Sequence, residues 1–316
     1  MIIHTDFETA GNAREDESKF LLSNHGIPHI EERLFDYFMQ LGCDGYANKP
    51  CQILTRQFDT ASYDLLEQGI TLRVRGNQEA GGIITTKDIC IKVSPQNSDT
   101  SLRLRRGEYE TPISDFFTLN LTPLKEQYPP CTNPEFQSIL RIVERSDVLE
   151  QFRILTTRPR MVIQIPNAYL DLSPEKKVCI ELQADDTKFG LADDYRTENG
   201  GLLLFASDTE IEYEILTKAC AYDTSAQKHD FVSEGLTEYD KEKVFHFMND
   251  QLENCAFARG TLIPNTYSKA ERGFGYLDQL HTELIIAHSH QQRVNLTALR
   301  SGGISVPRLV AITPET

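Results

Sequence analysis

The chain has 316 residues, 40% of them hydrophobic, which is enough to bury one large core or two modest ones. A formal charge of -15 excludes an extended basic face of the kind that binds duplex nucleic acid or anionic lipid, while leaving room for a small anion in a local basic pocket. The seven cysteines are scattered and never form a CxxC pair, so reduced thiols are expected, with neither a disulfide framework nor a zinc knuckle.

Residues 1–14 read as an accessory arm without a basic start or an apolar stretch. From 15 to about 216, short segments rich in Ile, Val, Leu, Thr and Phe alternate with polar loops. They predict strands at 15–22, 52–59, 70–75, 83–93, 101–110, 152–165, 177–185 and 209–216. Helices are expected at 28–41, where Ile30, Leu34, Tyr37, Phe38 and Leu41 recur at helical spacing, and at 134–145. Two further helices, 238–254 and 271–288, follow the strand region, and the last residues from 301 form a tail. Eight antiparallel strands suffice to close a barrel. The expected fold is therefore α+β: a closed eight-stranded antiparallel β-barrel with helices packed outside. No apolar run approaches the ~18 residues that span a bilayer, so a cytoplasmic protein is expected.

Glu15-x-Glu17-x-Lys19 displays two carboxylates and an ammonium on one side of a strand, because residues two apart share a face. Taken alone, that pentad is most simply a solvated strand. The period-two pattern recurs in Arg73-x-Arg75, Arg106-x-Glu108-x-Glu110 and Glu210-x-Glu212-x-Glu214, while Leu72, Val74, Ile211, Tyr213 and Ile215 between them need a core of their own. Helices can cover that apolar face, which leaves the charged face inside. Charges so enclosed are costly unless a ligand compensates them, and a polyanion with metal cations would do so.

Further segments follow in order: "QFDT" at 57–60, "LRVR" at 72–75, "IKVSP" at 91–95, "RGEYE" at 106–110, "IELQAD" at 180–185, "EIEYE" at 210–214 and "YSKAERGF" at 267–274. Together with the pentad this set resembles the CYTH, or triphosphate tunnel metalloenzyme, family across most of 15–276. The resemblance implies a tunnel domain at 15–275, with 276–316 a C-terminal helix and tail too short and too poor in histidine for the helical CHAD domain. It implies that Glu15, Glu17, Asp185, Glu210, Glu212 and Glu214 surround one or two Mg2+ or Mn2+ ions, hard cations that favour oxygen ligands. Lys19, Arg73, Arg75, Lys92, Arg106, Arg160 and Lys269 would grip phosphate oxygens, and Glu15, Glu17, Lys19 and Arg75 would carry catalysis.

Several positions stay open on the sequence. Lys87 competes with Lys92, Arg158 with Arg160, and Asp186 or Asp171 with Asp185. Arg103 and Arg105 are out of phase with Arg106, which a bulge near Gly107 would reconcile. His281, His288 and His290 read as exposed or capping, Gly81-Gly82 as a turn, and Cys90 and Cys179 as core. The expected activity is metal-dependent hydrolysis of a triphosphate, inorganic tripolyphosphate ahead of nucleoside triphosphates. The alternatives are a class IV type adenylate cyclase and a non-catalytic polyphosphate or nucleotide-binding module. Thiamine triphosphate is disfavoured by the absence of Trp. The expected partner is a small-molecule triphosphate, with no duplex nucleic acid and no membrane; a homodimer is left open.

Overall fold

The computed structural model describes residues 13–22, 27, 29–79, 83–93, 103–130, 133–192, 203–217, 231–255, 257–265 and 267–289. Most of the 1–14 arm, Gly81-Gly82, His290 and the tail from 301 lie outside the described residues; Ala13 and Arg14 open the first strand.

In chain order the strands are β1 (Ala13–Leu22), β2 (Asp44–Asp59), β3 (Ile70–Gln78), β4 (Ile84–Val93), β5 (Arg103–Pro112), β6 (Leu149–Gln164), β7 (Cys179–Leu191), β8 (Leu204–Ile215) and β9 (Leu262–Pro264). The helices are α1 (Ile30–Gln40), α2 (Asp64–Glu67), α3 (Thr122–Gln127), α4 (Pro134–Arg145), α5 (Asn167–Leu170), α6 (Glu238–Asn254) and α7 (Lys269–Ser289). All nine strands join one antiparallel sheet in the order β5-β4-β3-β2-β6-β7-β8-β1-β9, and β5 also pairs with β1. Residues 13–18 of β1 pair with β5, and Phe20 to Leu22 on the same edge pair with β9. Each of β1 to β8 therefore has a hydrogen-bonded partner on both sides.

The expected count of eight strands is corrected to nine. The ninth is a three-residue segment, too short to show any alternation. The pairing of β5 with β1 and β4 is regular, so the bulge anticipated near Gly107 does not occur. Irregular register falls elsewhere, at Gln57/Phe58, Gly76/Asn77 and Phe189/Gly190 and between Asn48 and Cys51 of β2, the last facing the Arg158-Pro159-Arg160 stretch of β6, where a proline cannot donate to the ladder.

Side-chain alternation divides most of the sheet into two faces. Phe20, Met161, Ile163, Ile180, Leu182, Ile211 and Tyr213 project from β1, β6, β7 and β8 into a core shared with Leu34 and Phe38 of α1 and Val244, Phe245 and Met248 of α6. On the other half, Leu72, Val74, Ile89, Ile91 and Tyr109 of β3, β4 and β5 pack with Leu124 of α3 and Phe136, Ile139 and Leu140 of α4. Apolar residues of one parity thus consume the outer face, and the helices seal it. No helix among the described residues is long and apolar enough to cross a membrane.

Candidate active site

The opposite parity carries charge. Asp185 of β7 and Glu210 and Glu212 of β8 are buried, and their carboxylate oxygens lie within 4.8 Å of one another. The ladder sets this arrangement: Asp185 pairs with Glu210, Gln183 with Glu212, and Glu181 with Glu214. Glu212 is also paired with Lys19, and Glu214 with Glu17, across the β1 edge. Lys19 Nζ stands 3.0 Å from Glu17 Oε1 and 3.1 Å from Glu212 Oε2. Arg158 Nε donates to Asp185 at 2.9 Å, and Arg272 Nη1 to Glu210 at 2.6 Å. Lys269 reaches all three carboxylates: Asp185 at 3.0 Å, Glu212 at 3.4 Å, and Glu210 in a short contact.

Burial would raise the Glu210 carboxyl, yet Lys269, Lys19 and Arg272 bring it down to about 2. Glu212 is likewise penalised by burial but held well below the ordinary range by Lys19, Lys269 and Arg158. Burial also works against the charge of Lys269, Arg158 and Arg272, and the facing carboxylates more than restore it. Glu210 and Glu212 are therefore carboxylates at neutral pH.

A second charged group lies on β3, β4 and β5. Arg75 donates from Nε to Asp88 at 2.9 Å and from Nη2 to Glu110 at 2.7 Å. Arg73 Nη2 donates to Glu108 at 2.9 Å, and Lys92 Nζ lies 3.4 Å from the same carboxylate. Cys90 shares this face, its thiol donating to Glu108 Oε1 at 3.2 Å. Its expected place in an apolar core is corrected: β4 alternation puts Asp88, Cys90 and Lys92 together, opposite Arg75, Arg73 and Thr71. Burial pushes this thiol well up, which keeps it protonated and unsuited to nucleophilic attack. Arg75 also acts on Arg158 by repulsion, so the two charged groups feel each other.

Of the residues anticipated from sequence, Glu17, Lys19, Asp185, Glu210, Glu212 and Lys269 meet in the first group, and Arg73, Arg75 and Lys92 in the second. Glu214 is half-buried beside Glu17 and Glu181 in register. Glu15 and Arg106 are direct partners in the β1–β5 ladder; their side chains lie outside the described residues. Arg158 and Arg160 both point to the charged face, Arg160 Nε standing 3.5 Å from Glu181. Lys87 turns away to the Ser114 carbonyl, Asp186 is exposed, and Asp171 caps α5, so geometry selects Lys92 and Asp185 over them.

Asp88, Glu108, Glu110, Glu181, Gln183, Asp208 and Arg272 join these groups without a role assigned to them from sequence, although Glu108 and Glu110 belong to the charged pattern named there. Most extend the period-two runs already in view: Asp208 precedes Glu210 by two, and Asp88 precedes Lys92 by four. Arg272 follows Lys269 by three, a spacing that puts both on one helix face.

The start of α7 explains why these two cations arrive together. Ser268 and Glu271 form a reciprocal cap, Ser268 N to Glu271 Oε2 at 2.6 Å and Glu271 N to Ser268 Oγ at 3.1 Å. Just before it, Asn265 bonds the Lys19 carbonyl through its backbone and Glu210 through its side chain, at 2.9 and 3.0 Å. One turn on, Phe274, Leu277 and Leu280 pack on Phe152, Ile154, Phe189 and Phe205. Phe152, Ile154 and Phe189 share the parity of Arg158 and Asp185, so α7 covers an apolar end of the charged face.

The donor set suits a hard cation. Three carboxylates offer oxygen alone, and buried Gln183 Oε1 and Thr187 Oγ1, on the same parity of β7, have no hydrogen-bond partner among the described residues. Cys90, Glu108 and Glu110 form a second group able to hold an ion, but one that includes a thiol.

The sequence matches the CYTH domain family over residues 13–216, and the chain belongs to that family. Comparison with curated proteins found no match. Among solved structures, a proposed adenylate cyclase from Bacillus halodurans is 14% identical, with a TM-score of 0.39, covering 83% of this chain and 98% of its own. HpAC1 from Hippeastrum, described as a proposed adenylyl cyclase with a dominant triphosphatase activity, is 19% identical at a TM-score of 0.37, covering 81% and 92% respectively. A protein of Pyrococcus horikoshii OT3 is 12% identical at a TM-score of 0.38, covering 82% and 98%.

Proposed function

We propose that this protein hydrolyses a triphosphate, inorganic tripolyphosphate in preference to a nucleoside triphosphate, with Mg2+ or Mn2+, in a tunnel formed by β1 to β8. The observation that carries the reading is the buried charged face itself. Carboxylates and cations from β1, β3, β4, β5, β6, β7 and β8 share one parity of a sheet whose every strand from β1 to β8 is paired on both edges. On this reading the sheet closes on itself, and the working unit runs from β1 to the first turns of α7.

Desolvated charge of both signs stabilises a fold poorly, since such pairs do no better than apolar packing of equal volume. It does suit a ligand that is a polyanion bound with cations. Arg73, Arg75, Lys92 and Arg160 would grip phosphate oxygens, the guanidinium forks in paired hydrogen bonds and the ammonium as a compact charge. Glu17, Asp185, Glu210 and Glu212 would hold the metal, with Glu15 and Glu214 at adjoining register positions. When bound, the ion supplies charge neutralisation and a water of lowered pKa. Lys19, fixed between Glu17 and Glu212, would orient both carboxylates and stand beside the phosphates as charge develops. The outer helices and the aromatic packing under α7 would exclude bulk water and so strengthen each of these contacts.

The test is release of phosphate and pyrophosphate from tripolyphosphate, ATP and thiamine triphosphate, each with Mg2+, Mn2+ or a chelator. Metal-dependent phosphate release, fastest from tripolyphosphate, is expected. Cyclic AMP with pyrophosphate from ATP would replace hydrolysis by cyclisation, and tight anion binding without turnover would leave a binding module.

A further inference from the structure

Lys269 enters the acidic group from outside the sheet, and its position there is not that of one more ion pair. Each carboxylate already has a cation of its own: Arg158 on Asp185, Arg272 on Glu210 and Lys19 on Glu212. Lys269 is placed against all three, where their oxygens converge within 4.8 Å. A divalent ion taking oxygens from these same side chains would meet the ammonium head-on. Like charges at contact distance repel strongly in a desolvated setting, so both cannot be held at full strength.

The lysine also has a route out. It is the first residue of α7, on a four-carbon stem, immediately after the Ser268 cap. It remains partly reachable by solvent, its side chain 17% exposed against 0% for Asp185 and Glu210. Arg272, by contrast, is locked a turn deeper by Asp208 and the Tyr267 carbonyl as well as by Glu210.

We propose that Lys269 is a tethered cation that holds the Asp185, Glu210 and Glu212 group in the metal-free protein and competes with divalent metal for it, withdrawing from the group when the ion binds. The inference rests on the metal-dependent reading above and deepens it. The carboxylates stay gathered in the absence of metal, and the displaced ammonium is left at the rim of the site, where an incoming phosphate can take it as its partner. Gln183 Oε1 and Thr187 Oγ1, which Lys269 leaves unsatisfied, are the acceptors an ion can add.

Mn2+ binding to the full chain, followed by electron paramagnetic resonance of the free ion, tests this without any substrate. Lys269→Met is expected to bind Mn2+ at least ~10-fold more tightly than the wild type, and Lys269→Arg, which keeps the charge, to stay close to it. In the wild type, Mn2+ should speed amide exchange in the first turn of α7, a readout that needs no variant to fold. Equal affinity of Lys269→Met and Lys269→Arg, or saturation with Mn2+ that leaves exchange at Lys269 to Arg272 unchanged, overturns the proposal. Absence of triphosphate turnover beside the expected Mn2+ shift would count against the hydrolase reading and not against this one.

Discussion

Two glycines of α7, Gly273 and Gly275, lie in one helix but in opposite surroundings. A Cβ at Gly273 would press into the Phe152 ring well inside van der Waals contact and stand 3.1 Å from Phe189 Cδ1. At Gly275 the same atom meets nothing within 4 Å. Phe152 cannot turn aside cheaply, because it is fully buried and its ring is boxed by Phe274, Phe205 and Phe189 at 5.0, 6.2 and 6.4 Å. Each Gly→Ala change should gain ~1 kcal/mol of helix propensity. For Gly275→Ala nothing offsets that gain, and the variant is expected to be stabilised by about that amount. Gly273→Ala carries in addition an overpacking cost of ~1–3 kcal/mol. The shared propensity gain cancels between the two variants, so their difference isolates the overpacking. Urea melts with a common slope would read it as a midpoint for Gly273→Ala below that for Gly275→Ala. Equal midpoints would show that α7 does not rest on Phe152 as described, and the delivery of Lys269 and Arg272 by the residues just before Gly273 would lose its basis.

Glu17→Gln and Arg75→Ala should each lower kcat/KM for tripolyphosphate by ~10²-fold or more, and unchanged rates in both would place these side chains outside the chemistry. Arg75→Ala should also lower the urea midpoint, since Asp88 and Glu110 lose the guanidinium that both accept from. Stability should depend on acid in a particular window. Glu210 is depressed from 4.5 to about 2, and Glu212 lies well below 4.5, so what they contribute is complete above about pH 4.5 and drains away as the pH falls toward about 2. A denaturation midpoint that stays level down through that window would contradict the ion pairing. Thr237→Ala removes the reciprocal cap of α6, in which Asp240 N meets Thr237 Oγ1 at 3.2 Å and Thr237 N meets Asp240 Oδ2 at 2.7 Å. A loss of ~1 kcal/mol in thermal or urea unfolding is expected, with no change in Mn2+ affinity.

Strand alternation was the legible part of this chain. Ile211, Tyr213 and Ile215 against Glu210, Glu212 and Glu214 state in one strand which side faces helices and which faces charge, and α6 spans the predicted 238–254 because a Thr cap and a C-terminal break bracket its pattern. What stayed hidden has a common cause: it depends on contacts remote in sequence. β9 is three residues long and pairs with the β1 edge beyond Ser18, where the register with β5 ends. The choice between Lys87 and Lys92 turned on the β3–β4 register, which places Lys92 with Cys90 and Asp88 but sends Lys87 to a loop carbonyl. Arg158 and Arg160 have the same parity, so no local pattern could tell that both reach carboxylates of β7. Cys90 looked apolar among Ile89 and Ile91, yet those two are its neighbours on the opposite face.

The charged face is already paired, and this bears on how it would take a ligand. Arg75 bound to Asp88 and Glu110, Arg73 bound to Glu108 and Arg160 beside Glu181 are not idle forks awaiting phosphate. To grip a phosphate they must exchange one anionic partner for another, and the carboxylates they release must find a cation in turn. A triphosphate arriving alone would strand those acids in a buried setting, whereas a triphosphate with divalent ions supplies both halves of the exchange at once. Pairing in the free protein thus sets a selection rule: affinity for the polyanion should rise steeply with the metal, and affinity for the metal with the polyanion, by the reciprocity that links any two ligands sharing one set of groups. Tripolyphosphate binding that is equally tight in chelator and in Mn2+ would break that rule.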